Sequence, residues 1–397
     1  MNVFIIPSWY PDSRNPIDGI FIKEQVAALA KTFPEHNFIV SHCENFYFSL
    51  TSISKSSRTF KDFLKAKTFT KKYEPNLIEY NKPAVTWTGK LRGEINNIIK
   101  AHTQHFLKAR NEFGHIDIIH AHVSYTGGFS AMKLKEKFNV PYIITEHMAP
   151  FPFDNFINKE KLSDKISAPI KAADRVIAAS KFQAEKIHSF GFKKPVVIPN
   201  MVNENLFYPP LTQLNNNRIK FLTVTTFIER KGIEELMESI LKTLRQGFNG
   251  EFVIAGTGYL ENYIKDFINK NKLSDRVLLF LNPKREAVIK LFRECDVFIL
   301  PSRLDSFGIV YVEALACGKP VIATDCGGPS DFVNKENGLM VETGNIDQIS
   351  EAITLMATNI HKYDPLKIRK FFMSRFSGKV VCSQIVSLYE EITRQKK

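Results

Sequence analysis

The sequence predicts an α/β protein built from two parallel-sheet domains in tandem. Short apolar runs alternate with amphipathic segments along all 397 residues. Most of these runs lack a polar alternation, as expected for strands that are covered on both faces. The length suits two or three domains. A composition of 44% hydrophobic and 24% charged residues is typical of globular proteins and excludes disordered and collagen-like chains.

The apolar runs define the predicted strands. In the first half they are Val3–Ile6, Asn37–Ser41, Ile116–His120, Tyr142–Thr145, Arg175–Ala178 and Val196–Ile198. In the second half they are Lys220–Thr225, Phe252–Ala255, Val277–Phe280, Val297–Leu300, Val321–Ala323 and Leu339–Val341. Segments such as Ile233–Leu244 separate them, with apolar residues at the three- and four-residue spacing of a half-buried helix.

A stretch rich in turn-forming residues separates the two series. It spans about 201–217 and contains Pro209-Pro210 and Asn215–Asn217, so we predict a linker there. The predicted domains are residues 1–205 and 206–375, followed by a C-terminal helical segment, 376–397. Because ligands of open α/β sheets bind at the carboxyl ends of the strands, we expect a site in the cleft between the domains.

Charge and cysteine usage limit the possible partners and compartments. Residues 1–200 carry 28 Lys and Arg against 18 Asp and Glu, whereas the remainder carries 26 against 23, so the basic half is expected to meet an anionic partner. Five cysteines without a CxxC pair favour reduced thiols in the cytoplasm. We expect no signal peptide, because the N-terminus lacks a basic segment and its longest apolar run has four residues. We also expect no membrane span, because no apolar stretch approaches about 18 residues.

The segment Pro301–Ala323 predicts a strand end, a loop, a helix and a turn into the next strand. Gly308 permits close approach of a ligand, and the amides of Phe307, Gly308 and Ile309 open the helix, where phosphate binds favourably. Asp305 and Glu313 lie eight residues apart and can face one ligand from the loop and the helix. The alternative is a capping aspartate and a solvated glutamate. An unpaired carboxylate among the apolar neighbours of Glu313 would be costly, which favours a bound hydroxyl group.

Two further strand ends in the second half point to a phosphate-bearing ligand. Arg230 and Lys231 follow a predicted strand and precede the helix at Ile233, although such a pair is often merely exposed to solvent. Gly256 lies in a tight strand-to-helix turn. The third glycine of a dinucleotide fingerprint is missing there, because Glu261 occupies its place, so this turn is weak support for NAD.

The first half has its own polar strand ends. Gly19 lies in the long loop after the first strand, and His147 follows the strand Tyr142–Thr145. His120 and His122 share one face of a strand. They fit two metal ligands, but no third ligand has suitable spacing, and packed structural histidines are the alternative.

These segments resemble motifs of the retaining family-4 glycosyltransferases. The loop Pro7–Gln25, which contains Gly19, resembles the first strand-to-helix loop of the family members that build bacterial surface polysaccharides. Pro301–Ala323 resembles the family's E-x7-E signature, with Asp305 in place of the first glutamate. Thr225–Gly232 resembles its G-R-x-x-x-K-G phosphate clamp, with Thr226 at the arginine position. Ile198–Phe207 resembles its I-P-N-G-V-D…F linker, with Met201 replacing the glycine.

The resemblance implies a GT-B fold, in which two Rossmann-like parallel-sheet domains face each other across a cleft. It further implies that a UDP- or GDP-sugar donor binds the C-terminal domain and that a lipid-linked or polysaccharide acceptor binds the N-terminal domain. The product would be lipopolysaccharide, capsule or exopolysaccharide. No metal or other cofactor is expected, and the helix at 376–397 is expected to cross back to the first domain. The implied location is cytoplasmic, peripheral on the inner face of the membrane.

The resemblance also implies roles for individual residues. Asp305 would hold donor-sugar hydroxyls and Glu313 the nucleotide ribose. Lys231, supplemented by Arg230, would neutralise the departing diphosphate. His147 is expected beside the donor sugar, where it would support the sugar or the departing proton. Gly19 is expected where the loop approaches the transferring group. The residues expected around the nucleotide are Gly256, Phe307, Gly308 and Ile309.

The segment 55–72 carries seven positive residues against Asp62 alone. Phe60, Phe63 and Leu64 would form an apolar edge if this segment is helical, which predicts contact with an anionic membrane surface. A solvated loop is the alternative. Nucleic acid is not expected, because no recognised binding motif accompanies the charges.

Two other functions are compatible with parts of the sequence. A nucleotide-sugar epimerase would use the same double fold and would form product without an acceptor. A basic nucleic-acid-binding protein would bind duplexes with a steep dependence on salt.

Overall fold

The computed structural model of the chain describes residues 1–12, 14–49, 53–88, 95–159, 161–210 and 218–395. They form two compact units. Unit 1 comprises Met1–Ala179, Ala184–Ile198 and Val381–Lys397, and unit 2 comprises Ser180–Gln183 and Pro199–Val380. Residues 211–217, the second part of the predicted linker, lie outside the described residues.

Unit 1 is an α/β unit. Its strands are β1 (Asn2–Pro7), β2 (Asn37–His42), β3 (Asn45–Ser49), β4 (Phe69–Glu74), β5 (Leu77–Asn81), β6 (Ala84–Thr88), β7 (Ile118–His122), β8 (Tyr142–Glu146), β9 (Ile157–Asn158), β10 (Lys161–Leu162), β11 (Arg175–Ala178) and β12 (Val196–Val197). Its helices are α1 (Ile20–Thr32), α2 (Ile53–Lys65), α3 (Asn96–Phe113), α4 (Phe129–Phe138), α5 (Asp164–Ala172) and, from Ala184 onward, α6 (Lys181–His188).

The main sheet of unit 1 has the strand order β12-β11-β8-β7-β1-β2-β5-β4. All neighbouring pairs are parallel except β4 and β5, which form an antiparallel pair at one edge because a two-residue turn joins them directly. The prediction of a parallel sheet is therefore correct except at this edge. The strands β3 to β6 were not predicted. Of these, β4 and β5 mix aromatic and charged residues, whereas β3 and β6 are aromatic and polar without charge.

The buried strands of unit 1 explain why the sequence shows apolar runs there. In β1 the residues from Val3 onward are buried, and β7 and β8 are buried along their whole length. Helices cover both faces of such strands, so apolar side chains are required on both sides. The core between sheet and helices includes Phe4, Phe106 and Tyr142.

Unit 2 alternates strands and helices regularly. Its strands are β13 (Ile219–Thr226), β14 (Gly250–Thr257), β15 (Val277–Leu281), β16 (Val297–Leu300), β17 (Val321–Thr324) and β18 (Gly338–Val341). Its helices are α7 (Ile233–Arg245), α8 (Glu261–Lys270), α9 (Arg285–Glu294), α10 (Ile309–Ala316), α11 (Ile346–Thr358) and α12 (Pro365–Phe376). Every strand and the helix over Ile233–Leu244 confirm the prediction to within a few residues.

The sheet of unit 2 has the order β15-β14-β13-β16-β17-β18, and all pairs are parallel. This is the strand order of a Rossmann fold, in which the direction of winding reverses between the first and fourth strands. The reversal lies between β13 and β16, so the loops that follow these two strands meet at one edge of the sheet. Ligands of such sheets bind at this point.

The last helix, α13 (Gly378–Arg394), is contiguous with α12 apart from one residue. From Val381 onward it belongs to unit 1, where the Tyr389 hydroxyl lies 2.6 Å from Nδ1 of His120. All five cysteines are free thiols. Among the described residues no helix has both the length and the apolar character needed to cross a membrane.

Candidate active site

Lys231 and Asp305 form an ion pair at the switch point of unit 2. The Lys231 Nζ atom lies 2.5 Å from Oδ2 of Asp305, and both side chains are largely buried, with exposed fractions of 15% and 9%. Lys231 ends a short 3-10 turn after β13, and Asp305 lies in the loop after β16. The strand order therefore brings together two residues that are 74 positions apart in sequence.

Arg230 lies at the same loop as this ion pair. Its Nη1 atom donates to the carbonyl oxygen of Leu304 at 3.2 Å, and its own carbonyl accepts from the amide of Arg303 at 2.8 Å. The guanidinium thus contacts the backbone next to Asp305. Thr226, which occupies the arginine position of the phosphate clamp, ends β13 and is exposed.

Glu313 is buried on α10 and is paired with Arg285, which no sequence motif indicated. Its Oε1 atom accepts from Nη1 of Arg285 at 2.7 Å, and the side chain is only 4% exposed. The Arg285 guanidinium also packs over the ring of Phe207 at 4.9 Å. We expected a ligand hydroxyl as the partner of this carboxylate among apolar neighbours, but in the structure its partner is the guanidinium of Arg285.

Arg285 is the first residue of α9. A cation at that position opposes the helix macrodipole, which favours acidic residues in the first turn. An arginine at the first position of a helix is therefore unusual, but this can be recognised only when the start of α9 is known.

The start of α10 has the features that its sequence predicts. Gly308 precedes the helix with φ 82°, in the left-handed region that favours glycine, and as the N-cap residue it has no side chain that could cap the helix. Ile309 is the first helical residue. The Phe307 side chain is buried against Phe332 and Phe376, so of Phe307 only the backbone is suited to contact a ligand.

Gly256 is explained by packing. It pairs with Thr225 across β13 and β14, and a Cβ atom there would overlap the Thr225 carbonyl oxygen. This is sufficient reason for a glycine, so its predicted role near the nucleotide stays a prediction.

His147 follows β8 in unit 1, and the Glu146 carboxylate fixes its backbone. That carboxylate accepts from the amides of His147 at 2.8 Å, Met148 at 2.9 Å and Ser124 at 3.0 Å, and from the Ser124 hydroxyl at 2.6 Å. Burial lowers the pKa of His147 to about 3, so the imidazole is neutral at physiological pH.

Gly19 in unit 1 precedes α1 with φ 63°. A Cβ atom there would overlap the carbonyl oxygen of Trp9, because the loop after β1 folds closely onto itself. The next residue but one, Phe21, packs edge-on against the His147 ring at 4.9 Å. Gly19 and His147 therefore belong to one locality of unit 1.

The His-x-His pair in β7 does not form a metal centre with other described residues. Within the described part of the chain no group of three or more His, Cys, Asp or Glu side chains is placed to hold an ion. His120 instead has polar partners at both ring nitrogens, Thr145 at 2.7 Å and Tyr389 at 2.6 Å.

Two family profiles match the chain. The one described as "Glycosyl transferases group 1" matches residues 208–367, which contain the two ion pairs. The one described as "Glycosyltransferase Family 4" matches residues 69–206. The chain is also 30% identical over 283 residues to an uncharacterized glycosyltransferase of Methanocaldococcus jannaschii, covering 70% of this chain and 76% of that protein.

A second relative and a solved structure extend the comparison. The chain is 27% identical over 257 residues, covering 59% of this chain and 66% of that protein, to N,N'-diacetylbacillosaminyl-diphospho-undecaprenol alpha-1,3-N-acetylgalactosaminyltransferase of Campylobacter jejuni. HepE of Anabaena in complex with UDP shares its fold, with a TM-score of 0.69 at 16% identity and coverage of 98% of this chain and 99% of that chain. The chain is a family-4 glycosyltransferase with the GT-B fold, as its motifs predicted.

Proposed function

We propose that this glycosyltransferase moves a sugar from a nucleoside-diphosphate sugar to a lipid-linked or polysaccharide acceptor, with retention of anomeric configuration. The observation that carries the proposal is the Lys231–Asp305 pair at the switch point of a Rossmann sheet. It combines a cation for the diphosphate with a carboxylate for sugar hydroxyls in one place. The uncapped start of α10 provides a second anion-binding feature in the same loop.

In the unliganded protein, each side chain of the ion pair would occupy the place of the donor group that the other side chain binds later. In the unliganded protein Asp305 neutralises the Lys231 ammonium. An entering diphosphate offers Lys231 a second anion, and the Asp305 carboxylate then becomes available to accept hydrogen bonds from sugar hydroxyls. Binding of the two halves of the donor would thus be coupled.

The proposed transfer uses same-face attack. The bond between the acceptor oxygen and the anomeric carbon forms as the bond to the diphosphate oxygen breaks, and the leaving diphosphate accepts the proton of the acceptor hydroxyl. No enzymatic nucleophile is proposed. A metal ion is also not proposed, since Lys231 and the helix start supply the positive potential. Unchanged activity in EDTA would support this last point.

Nucleotide binding is the first test. UDP or GDP is expected to raise the melting temperature of the full chain by several degrees at saturating concentration, whereas UMP and GMP should raise it less, because they lack the second phosphate. UDP is tried first, since HepE binds it. The absence of stabilisation by every nucleoside diphosphate would contradict the donor site. Conversion of a UDP-sugar without an acceptor would instead indicate an epimerase.

The acceptor is proposed to bind unit 1, where two of the cavities among the described residues have volumes of about 340 and about 320 Å³. Tyr47 and Tyr125 line both of them, so the cavities are neighbours. Aromatic faces with a few polar groups suit a sugar ring, which has apolar faces and a hydroxylated rim. The name of the Campylobacter relative, which includes a diphospho-undecaprenol sugar, supports a lipid-linked acceptor.

Unit 1 also presents a face suited to an anionic membrane. Helix α2 ends at Lys65 and the exposed strand β4 begins at Phe69, so the segment 55–72 is not one continuous helix. Phe60 and Leu64 are 51% and 66% exposed, and Lys61 and Lys65 flank them. The side chains of Lys55 and Arg58 lie outside the described residues.

Vesicle binding tests this face. The triple variant Lys61→Gln, Lys65→Gln and Lys67→Gln is expected to bind vesicles with 30% phosphatidylglycerol about 100-fold more weakly, since each cation contributes about 1 kcal/mol near such a surface. The control replaces three other exposed lysines of unit 1, Lys137, Lys171 and Lys193. Equal binding by both variants would argue against membrane contact through 55–72.

A further inference from the structure

The larger of the two neighbouring cavities in unit 1, about 340 Å³ in volume, is called the acceptor cavity below. It lies at the carboxyl ends of β1 and β2, where Pro7 and His42 line it. The charged residues of its lining are Asp12, Arg14 and Asp18, all from the loop between β1 and α1. The balance of these charges decides which kind of sugar the cavity can accept.

Among the described residues that line the acceptor cavity, Arg14 is the one lysine or arginine, and it is already matched by carboxylates. Its Nη2 atom donates to Oδ2 of Asp12 at 3.1 Å and to the carbonyl oxygen of Asn45 at 2.9 Å. Its Nε atom lies 3.5 Å from Oε1 of Glu44, and its guanidinium packs over the Phe46 ring at 4.1 Å. An entering carboxylate or phosphate would therefore compete with two carboxylates of the protein for one cation.

Asp18 contributes a further carboxylate to the lining, and no lysine or arginine of the described chain pairs with it. Burial and the charge of Asp12 raise the pKa of Asp18 above its usual value, although the amide of Gly19 donates to the carboxylate. Asp18 thus already lies in the negative potential of a neighbour. Because an ionised carboxylate can only accept hydrogen bonds, it attracts a ligand that donates them and repels an anion.

The buried ring of His102 adds a neutral polar group to the same cavity. The residue is only 1% exposed, and burial lowers its pKa to about 3, so the imidazole carries no charge at neutral pH. Nδ1 lies 2.8 Å from the Ser41 hydroxyl, whereas Nε2 has no hydrogen-bond partner among the described residues. Since buried polar groups in proteins are normally hydrogen-bonded, this nitrogen is suited to a hydroxyl group of a ligand.

We propose that the acceptor cavity takes a sugar without negative charge, and that Asp18 excludes sugars that carry a carboxylate or a phosphate. Hydroxyl or amino groups of the sugar would donate to Asp18, and the Trp9 and Tyr47 rings that line the cavity would face its apolar surface. The inference rests on the proposed function and specifies the acceptor. The net positive charge of residues 1–200, which predicts an anionic partner, does not extend into this cavity.

Binding of matched methyl glycosides to the full chain tests the inference. The probes are pairs that differ only at C6: the glucoside and the glucuronide, the galactoside and the galacturonide, and the N-acetylglucosaminide and its 6-phosphate. Saturation-transfer NMR measures their affinities. We expect the neutral member of at least one pair to bind, and its anionic counterpart to bind at least about tenfold more weakly. An anionic member that binds as tightly as its neutral counterpart would overturn the proposal, as would the failure of every neutral member to bind a chain that UDP stabilises.

Asp18→Asn keeps the size of the side chain and removes its charge. It is expected to reduce the preference for the neutral member to about twofold or less, since the repulsion of the anion is lost. Glu35→Gln removes a carboxylate of unit 1 that is 60% exposed and should leave the preference unchanged. An unchanged preference in Asp18→Asn with the melting temperature of wild type would overturn the proposal. The sugar measurements need no donor, so a failure of every nucleoside diphosphate to stabilise the wild type would refute the proposed function instead.

Discussion

Replacement of Lys231 by methionine is expected to lower kcat by about 10²–10³-fold, the typical cost of removing one preorganised group that stabilises developing charge. Methionine has nearly the length of lysine but no charge. The Lys231 ammonium lies 2.5 Å from Asp305 in a largely buried position, where electrostatic interactions are less screened than at the surface. The loss should therefore appear in the chemical step. Steady-state kinetics with the donor identified by nucleotide binding would measure it.

Three variants control for the buried charge that this change leaves behind. Lys231→Arg keeps a cation and should retain more activity than Lys231→Met. The double variant Lys231→Met with Asp305→Asn removes both charges, so it should recover stability but not turnover. Lys242→Met breaks an exposed ion pair with Asp347 in the same unit and should change neither the stability nor the turnover. Turnover within fivefold of wild type in folded Lys231→Met would contradict the proposed donor site.

The regular part of the fold could be predicted because it is governed by burial. Strands such as Val297–Leu300 are covered on both faces, so their sequence is apolar throughout, and the structure has the same bounds. The strand at Leu77–Asn81 was missed because it contains Glu79 and Asn81, two buried polar residues. Glu79 pairs with His42 at 3.7 Å and Asn81 donates to the carbonyl oxygen of Lys67 at 2.9 Å. Both partners lie outside the strand, so the sequence of the strand alone does not indicate them.

The distinction between local sequence patterns and contacts of the folded chain also explains which features of the candidate site could be predicted. Loops that follow β13 and β16 meet because of the strand order, and the family resemblance assigned Lys231 and Asp305 to them. The ion pair between these two side chains depends on the tertiary structure and could not be read from the sequence. Arg285 was missed because it follows β15, at the edge of the sheet, and meets Glu313, 28 positions later in the sequence, only in the folded chain. The hydrogen bond between His122 and His147 likewise joins two strand ends.

The pairing of Arg285 with Glu313 leads to the second large expected effect. Arg285→Met is expected to lower the free energy of unfolding by about 3 kcal/mol, because a carboxylate that is only 4% exposed loses its nearest cation. Chemical denaturation monitored by fluorescence would measure it. Lys290→Met on the same helix breaks an exposed ion pair with Glu294 and should have no measurable effect.

The double variant Arg285→Met with Glu313→Gln separates stability from ligand binding. It removes both charges, so most of the stability should return, whereas a glutamine can no longer accept two strong hydrogen bonds from ribose hydroxyls. UDP affinity is expected to fall at least about tenfold, and the affinity for 2',3'-dideoxy-UDP should not change. If the double variant binds UDP as tightly as wild type, Glu313 does not hold the ribose. In that case its pairing with Arg285 serves only to join α9 to α10, and the nucleotide must be held by Lys231 and the start of α10 alone.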